Sequence, residues 1–489
     1  MHPVGLRARL GTALAAAALA MSSVPAAVAV AAPLMPAVSD ATFVSASETP
    51  PSEANCFAIH RRCFTPQAFW ASYNLGPLYA AGHDGSGMTV AIVDSYGSDT
   101  MAHDLHVFDT AFGLPRMCGE EGVACTAGMP TFKTLSIQGS PATVQQPGNG
   151  TGQENKAAWS IEVALDVESV HTFAPGANIL LVTVPTAETL GVQGLPLMMN
   201  AEQYVIDHHL ANVISQSFGT AEEAFSSTQS LLNLRHAYIS AAANGVTVLA
   251  SSGDGGSANI IKTPVAQGGS LVPFPTVGWP ASDPLVTGVG GTYLCTDPTN
   301  TTARVVDTVD PPVNCQSASN PTSATEIGWV DAGGGFSHVF SKPAYQDTLP
   351  AGSTAIGAMR GVPDIASEAS SRTGPLVYDT NAGLGDGSNA GSGGWYVIGG
   401  TSVACPQWAG MVAIADQIHG GGLGLINPTL YKIATNPTTY AADYYDVTTG
   451  NNTAVTGIPG YPATTGWDPV TGLGTPNAAN LLHDLAAGG

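Results

Sequence analysis

Charge is what this sequence has least of. Only 10% of its 489 residues are Asp, Glu, Lys or Arg, against roughly 25% in ordinary soluble domains. The shortage falls mainly on one sign, with 14 basic against 36 acidic residues and a formal net charge of −22. Phosphate backbones and anionic membrane surfaces both call for a basic footprint, so neither is an expected partner. An acidic surface sheds self-repulsion as its carboxylates protonate, which suits work in acid. Beyond the N-terminus no stretch offers about 18 uninterrupted apolar residues, the length a membrane helix needs. Histidine and cysteine never gather at zinc-ligand spacing. Low charge does not mean disorder here, because a 44% hydrophobic composition supplies apolar surface to bury.

The exception to the missing apolar runs is the start of the chain. Arg7 and Arg9 precede LGTALAAAALAMSSVPAAVAVAA, which holds small-residue cleavage signals such as Ala27-Val28-Ala29. That order of charge, apolar core and small residues reads as an export signal over residues 1–31, so a secreted, extracellular protein is expected. Export makes disulfides chemically plausible. Cys56 with Cys63, Cys118 with Cys125, and Cys295 with Cys315 are close enough in sequence to pair locally, though spacing alone does not fix connectivity. Cys405 is left over inside an apolar helical pattern and is expected to be buried and unreactive.

Residues 32–64 form a short N-terminal segment, and 65–489 read as one domain. GMTVAIVDSYG, ANILLVTV, ANVISQSFG, GVTVLASSGD and PLVTGVGGTY are continuous apolar runs ending in small or polar residues. Such runs mark parallel strands buried on both faces. Helical stretches such as AEQYVIDHHL and LLNLRHAYISAAANG lie between them, which predicts an α/β fold with a parallel central sheet and helices on both faces. Function is then expected beyond the carboxyl ends of the strands. Residues 296–328 and 380–394, rich in Thr, Ser, Asn and Gly, read as surface loops.

Three segments carry groups able to do chemistry. In GGWYVIGGTSVACPQWAG a strand runs through paired glycines into Ser402 at the start of a helix. Unpaired helix N–H groups there favour negative charge beside the hydroxyl, as a nucleophile that creates an oxyanion requires. An ordinary N-cap serine has the same local pattern. In NKAAWSIEVALDVESVHTF, Glu162 and Asp166 are four apart and share a helix face. A sheltered carboxylate pair holds one proton between its members and can accept a serine's, whereas a solvated acidic face would explain the same spacing. Glu168 should point elsewhere, and His171 reads as a partly exposed helix residue. In GVTVLASSGDGGS, Asp254 follows a strand, where a protonated carboxyl can donate to an oxyanion and where a plain turn is equally at home.

Taken together, these segments resemble the sedolisins, serine-carboxyl peptidases with a subtilisin-like fold. VAIVDSYG, VISQSFG, VGGT, GGGFS, RGVPDIA and INPTLY add to the likeness over residues 66–489. The resemblance implies Ser402 as nucleophile, Glu162 as general base, Asp166 as the orienting acid and Asp254 as an oxyanion donor. It also implies cleavage of polypeptide substrates in acid through an acyl-enzyme. Asp94 falls where a further acidic residue is often linked to the pair, and Phe218 where many members have Trp. In the C-terminal stretch it implies one structural Ca2+, held by Asp446 and Asp468 with the carbonyls of Val447, Thr464 and Gly466, since calcium takes six to eight oxygens from a turning chain.

Against the family pattern, residues 32–64 stand where a long propeptide is usual. A monomeric endopeptidase is the expectation. An exopeptidase releasing tripeptides would share the chemistry. A secreted binding protein of the same fold would be expected to lose one of the four site residues, and all four are present. A neutral subtilisin-type enzyme using Asp94, a histidine and Ser402 fits poorly, because His103 and His106 lack a surrounding glycine turn.

Overall fold

The five apolar runs become strands of one sheet, joined by two segments not read from sequence, Phe132–Gln138 and Ile365–Glu368: β1 Thr89–Ser95, β2 Phe132–Gln138, β3 Asn178–Val184, β4 Val213–Gln216, β5 Thr247–Ser251, β6 Thr287–Leu294 and β7 Ile365–Glu368. The computed structural model describes residues 40–138, 143–145, 153–185, 194–262, 270–308, 315, 324–381 and 393–488. The export signal read at 1–31, and parts of the loops read at 296–328 and 380–394, lie outside them.

The strands lie in the order 2-3-1-4-5-6, with every adjacent pair parallel and β7 also parallel to β6. Antiparallel pairing appears only at the two margins, where Thr143–Gln145 flanks β2 and Glu326–Gly328 flanks β6. The latter strand lies within the stretch read as surface loop.

Alternation along β1 shows why its run is apolar throughout. Val90 and Ile92 enter one core with helices α2 (Gln153–Phe173), α5 (Thr401–His419) and α6 (Ala478–Ala487). Ala91 and Val93 enter a second core with α3 (Leu195–Asp207) and α4 (His236–Ala243). Helix α1 (Met101–Phe112) lies against the flank of α2. Trp159 and Trp408 are fully buried in these layers, and a large apolar side chain so placed contributes about 2–3 kcal/mol.

α2 and α5 approach closely because Gly410 has no side chain. A Cβ there would stand 2.8 Å from the Cβ of Phe173 and 3.2 Å from the Val170 carbonyl oxygen. Ahead of the domain, Asp40–Ser45 pairs antiparallel with Gly394–Gly399, the strand that leads into Ser402. Disulfides join Cys56–Cys63, Cys118–Cys125 and Cys295–Cys315, each the local pairing the spacing allowed. Cys405 is free and buried, and burial pushes its thiol up to about 12, so it is inert as a nucleophile. Among the described residues no helix is long and apolar enough to cross a membrane.

Candidate active site

Five polar side chains gather at the carboxyl ends of the strands, where open parallel sheets place their sites. Asp94 is the penultimate residue of β1, Ser217 follows β4 directly, Asp254 sits in the turn after β5, and α5 begins beside them with Thr401 and Ser402. Gly400 starts that helix with φ +139°, a conformation side-chain-bearing residues rarely adopt. It lets the strand turn sharply enough to leave Ser402 on the first helical turn.

Ser402, Glu162 and Asp166 are fully buried at 0% exposure, so the solvated-face reading of the carboxylates does not hold. Ser217 Oγ donates to Asp166 Oδ1 at 2.9 Å and lies 3.5 Å from the Ser402 carbonyl oxygen. That carbonyl would receive the N–H of residue 406 in an ordinary helix, but Pro406 has none, so the turn is open to an outside donor. The unusual proline inside α5 thus couples the serine's backbone to the hydroxyl that holds Asp166. Ser217 was not singled out from sequence. Its position one residue past a strand, at the level of Asp94, was the available signal.

The Asp166 carboxyl is held well above the usual range by burial, then by the charges of Asp94 and Glu162, with the Ser217 bond opposing. Burial also pushes Asp94 up to about 7, and neither of its oxygens has a hydrogen-bond partner among the described residues. Phe218 is buried in the second core, where its ring supplies no donor for that carboxylate. At least one proton therefore stays within this group of carboxyls in acid.

Asp254 is tied to the residue before the serine. Its Oδ1 accepts the Thr401 N–H at 2.7 Å and the Thr401 hydroxyl at 2.8 Å, while the Gly253 N–H donates to Thr401 Oγ1 at 3.0 Å. Oδ2 is buried and has no partner among the described residues. Burial lifts the carboxyl to about 7, so in acid Oδ2 carries a proton it can donate.

The opposite side of α2 carries a second buried acidic group. Ser160 Oγ donates to Asp379 Oδ1 at 2.9 Å, and Glu168 Oε2 accepts the Tyr378 N–H at 3.0 Å, so Glu168 does point away from the pair. Asp104 on α1 accepts both the backbone N–H and the hydroxyl of Thr380. His171 is not partly exposed as read from sequence. It is fully buried, with Nε2 2.9 Å from the Pro115 carbonyl oxygen and 3.2 Å from Asp109 Oδ2. Arg116 pairs with Glu120 at 2.9 Å, and His103 and His106 face Glu121 and Glu120. Burial raises Asp104 to about 6, Asp379 and Glu120 to about 7, and Glu168 well above its usual range. The histidines a neutral enzyme would need are thus committed to this belt.

Of the C-terminal residues read as calcium ligands, Asp446 and Asp468 both reach the backbone at 464–466. Both Asp446 oxygens accept the Gly466 N–H at 3.1 Å, and Asp468 Oδ2 accepts the Thr464 N–H at 2.9 Å. Among the described residues no cluster of three or more His, Cys, Asp or Glu side chains forms a metal site. The expected set has only two carboxylates and draws its other oxygens from the backbone.

Known proteins resemble this chain in sequence and fold. No family model matches the chain. Kumamolisin of Bacillus sp. (strain MN-32) is 30% identical over 416 residues, 83% of this chain and 61% of the relative. Sedolisin of Pseudomonas sp. (strain 101) is 30% identical over 403 residues, 82% of this chain and 58% of the relative. Solved Pseudomonas sedolisin, a serine-carboxyl proteinase complexed with two molecules of pseudo-iodotyrostatin, aligns at a TM-score of 0.63 and 25% identity over 87% of this chain and 99% of its own. The chain belongs to the sedolisin family. Its fold is the subtilisin-like α/β arrangement of that family. Tripeptidyl-peptidase 1 of Canis lupus familiaris is 29% identical over 68% of the chain. The chain spans between about half and three fifths of the length of these curated sedolisin-family relatives, at 61%, 58% and 53%.

Proposed function

We propose that this protein is a secreted, acid-acting serine endopeptidase whose catalytic unit is residues 65–489. Ser402 attacks the substrate carbonyl, and Glu162 takes its hydroxyl proton. Asp166, held by Ser217, orients and tunes Glu162, and the Asp254 carboxyl donates to the oxyanion. The amine leaves with the proton from Glu162, an ester links acyl group and Ser402, and water repeats the cycle to free the enzyme. The observation that carries this reading is the Ser217 hydroxyl, which lies between Asp166 and the Ser402 carbonyl and so ties the carboxylate helix to the serine helix. Family membership supports the same chemistry. The sequence identity shared with tripeptidyl-peptidase 1 keeps an exopeptidase with these four residues as the second reading.

The test is digestion of an unfolded protein from pH 2.5 to 8 by wild type and Ser402→Ala. Activity peaking near pH 3–5 and absent from the variant is expected. Internal cuts mark an endopeptidase and released tripeptides the second reading. Equal digestion by Ser402→Ala would remove the serine mechanism.

Asp446 and Asp468, with the carbonyls of Val447, Thr464 and Gly466, would hold one Ca2+. The support is that both carboxylates lie against residues 464–466, whose N–H groups they accept and whose carbonyls the set would use. Bound there, the ion supplies stability to the C-terminal turn and takes no part in the chemistry. Its removal by chelator should lower the melting temperature by several degrees, and a melt insensitive to chelator and to added calcium would count against the site.

A further inference from the structure

Residues 40–64 lie ahead of the stretch that carries the reacting groups, yet they are built into its fold. Strand Asp40–Ser45 runs antiparallel to Gly394–Gly399, with Asp40 opposite Gly399, three residues before Ser402. Leu376–Asp379 borders the same strand on its other side. The strand that delivers Ser402 is thus the middle of three, and the N-terminal segment supplies one of its two neighbours. Without Asp40–Ser45, one edge of Gly394–Gly399 would lose its ladder of backbone bonds.

The added strand is packed as well as paired. Ala41 and Phe43 lie against the core that holds Ile398 and Val403, and Phe43 meets the Tyr396 ring edge-on at 5.4 Å. Val44 lies against a third cluster with Trp395, Val397 and Phe108 of α1. The Trp395 indole N–H donates to the Glu48 carbonyl at 3.2 Å. Gly394 admits this approach, since a Cβ there would stand 2.1 Å from the Ser45 carbonyl oxygen.

Beyond the strand, the segment is fastened a second time. Cys56 and Cys63 are bonded to each other and buried. Arg62 is buried too, its guanidinium 2.7 Å from Glu53 and 2.6 Å from Asp307 of the main domain. The Arg62 and Phe64 N–H groups donate to the Arg372 and Gly374 carbonyls at 2.8 and 3.1 Å. Removing Arg62 would leave the buried Asp307 without that cation, a strongly unfavourable state. Release of the whole segment after folding would undo both fastenings at once.

We infer that residues 40–64 are retained in the active enzyme, where strand Asp40–Ser45 positions the Gly394–Gly399 strand and through it Ser402. Any maturation cut then falls ahead of residue 40. The working unit is 40–489, longer than the 65–489 that holds the reacting groups. The inference rests on the peptidase reading above and adds to it a positioning element that touches no reacting atom.

Kinetics in acid, on a peptide that wild type cleaves, test it with a chain of residues 50–489. That chain lacks the strand but keeps Arg62 and the Cys56–Cys63 disulfide. Its kcat should fall by roughly 10–100-fold while KM stays within about threefold, the pattern of a displaced nucleophile. A synthetic peptide of residues 40–49, added in excess, should restore most of the rate. N-terminal sequencing of the enzyme secreted from the full chain should find a start at or before residue 40. Wild-type kcat in 50–489, or a fully active secreted enzyme that starts at or after residue 46, overturns the inference alone.

Should 50–489 fail to fold, two proline variants of the full chain decide. Successive N–H groups of an edge strand point alternately toward the partner and away. One of Ala41→Pro and Thr42→Pro therefore deletes a ladder bond and should lower kcat, while the other should keep it within about threefold. Wild-type kcat in both overturns the inference. No hydrolysis by wild type, or hydrolysis that persists in Ser402→Ala, overturns the peptidase reading and the positioning role with it.

Discussion

Helix α2 carries buried carboxyls on two sides, and the two sides are treated differently. On one, Glu162 and Asp166 meet Asp94 and the Ser217 hydroxyl, and every charge acting on Asp166 has its own sign. On the other, Glu168 and its neighbours Asp104, Asp109, Glu120 and Asp379 are interleaved with His171, Arg116 and backbone donors. Like charges raise Asp166 and Glu168 alike, but on the second side the carboxylates accept bonds from Ser160, Tyr378 and Thr380 and so hold elements together. Composition alone does not separate these roles. The neighbours brought in from other elements do.

The sharpest way to break the comparison is the same isosteric change on each side. Glu162→Gln should lower kcat on an unfolded protein by roughly 10²–10⁴-fold, the usual range for a lost general base, with little change in melting temperature. Glu168→Gln, six residues along the same helix, should leave kcat within about twofold and slightly raise stability near neutral pH. Comparable rate losses in the two variants would erase the distinction.

The next largest effect is expected from the belt's buried cation. Burial alone would lower the His171 pKa, but Asp109 and then the Pro115 carbonyl and Glu120 raise it. His171→Ala leaves Asp109 and Glu120 without that partner and should cost about 3–5 kcal/mol. Denaturant melts should show the loss, and the specific activity of the folded fraction should be kept.

Stability against pH then weighs the belt as a whole. Asp104, Asp379 and Glu120 have folded values of about 6, 7 and 7, above the ordinary carboxylate range they regain on unfolding. Their stabilising effect is therefore complete below about pH 4 and is lost as pH rises through 6–7. Thermal melts should fall by several degrees between pH 4 and 8, and Asp379→Asn should flatten that fall. A melting temperature that rises over this interval would contradict the assignment.

The smallest expected effect lies at the bridge to the serine. Ser217 favours the ionised form of Asp166, so Ser217→Ala should raise that carboxyl's pKa and move the acid limb of the pH–rate profile upward. The rate at the optimum should drop about tenfold, the value of one hydrogen bond to a charged group. A lower rate with an unmoved profile would make Ser217 merely structural.

Much of this was legible beforehand, and the part that was not has a physical cause. The strands could be read because TVAIVDS and its counterparts are covered on both faces, leaving no polar alternation to confuse them. The turn that puts Ser402 at the start of a helix could be read because paired glycines at a strand-to-helix junction permit few other geometries. His171 was misread because Glu168, Ser169 and Thr172 around it suggest a wet face, and its partner Asp109 lies on another helix. Ser217 was passed over because a serine after a strand is unremarkable until Pro406, far along the chain, leaves a carbonyl for it to approach. Both residues owe their roles to contacts that no local window contains.

The bare Cα of Gly410 works as a gauge between two rails. Ser402 rides on one helix and Glu162 on the other, and the spacing between those rails is set where Gly410 meets Val170 and Phe173. That point lies eight residues, or about 12 Å of helix rise, from Ser402. A single added methyl would act as a shim, tilting one rail against the other and widening the gap between the two helices that carry the proposed acceptor and nucleophile. The geometry the proposed reaction needs would thus be set by a residue remote from Ser402 and Glu162.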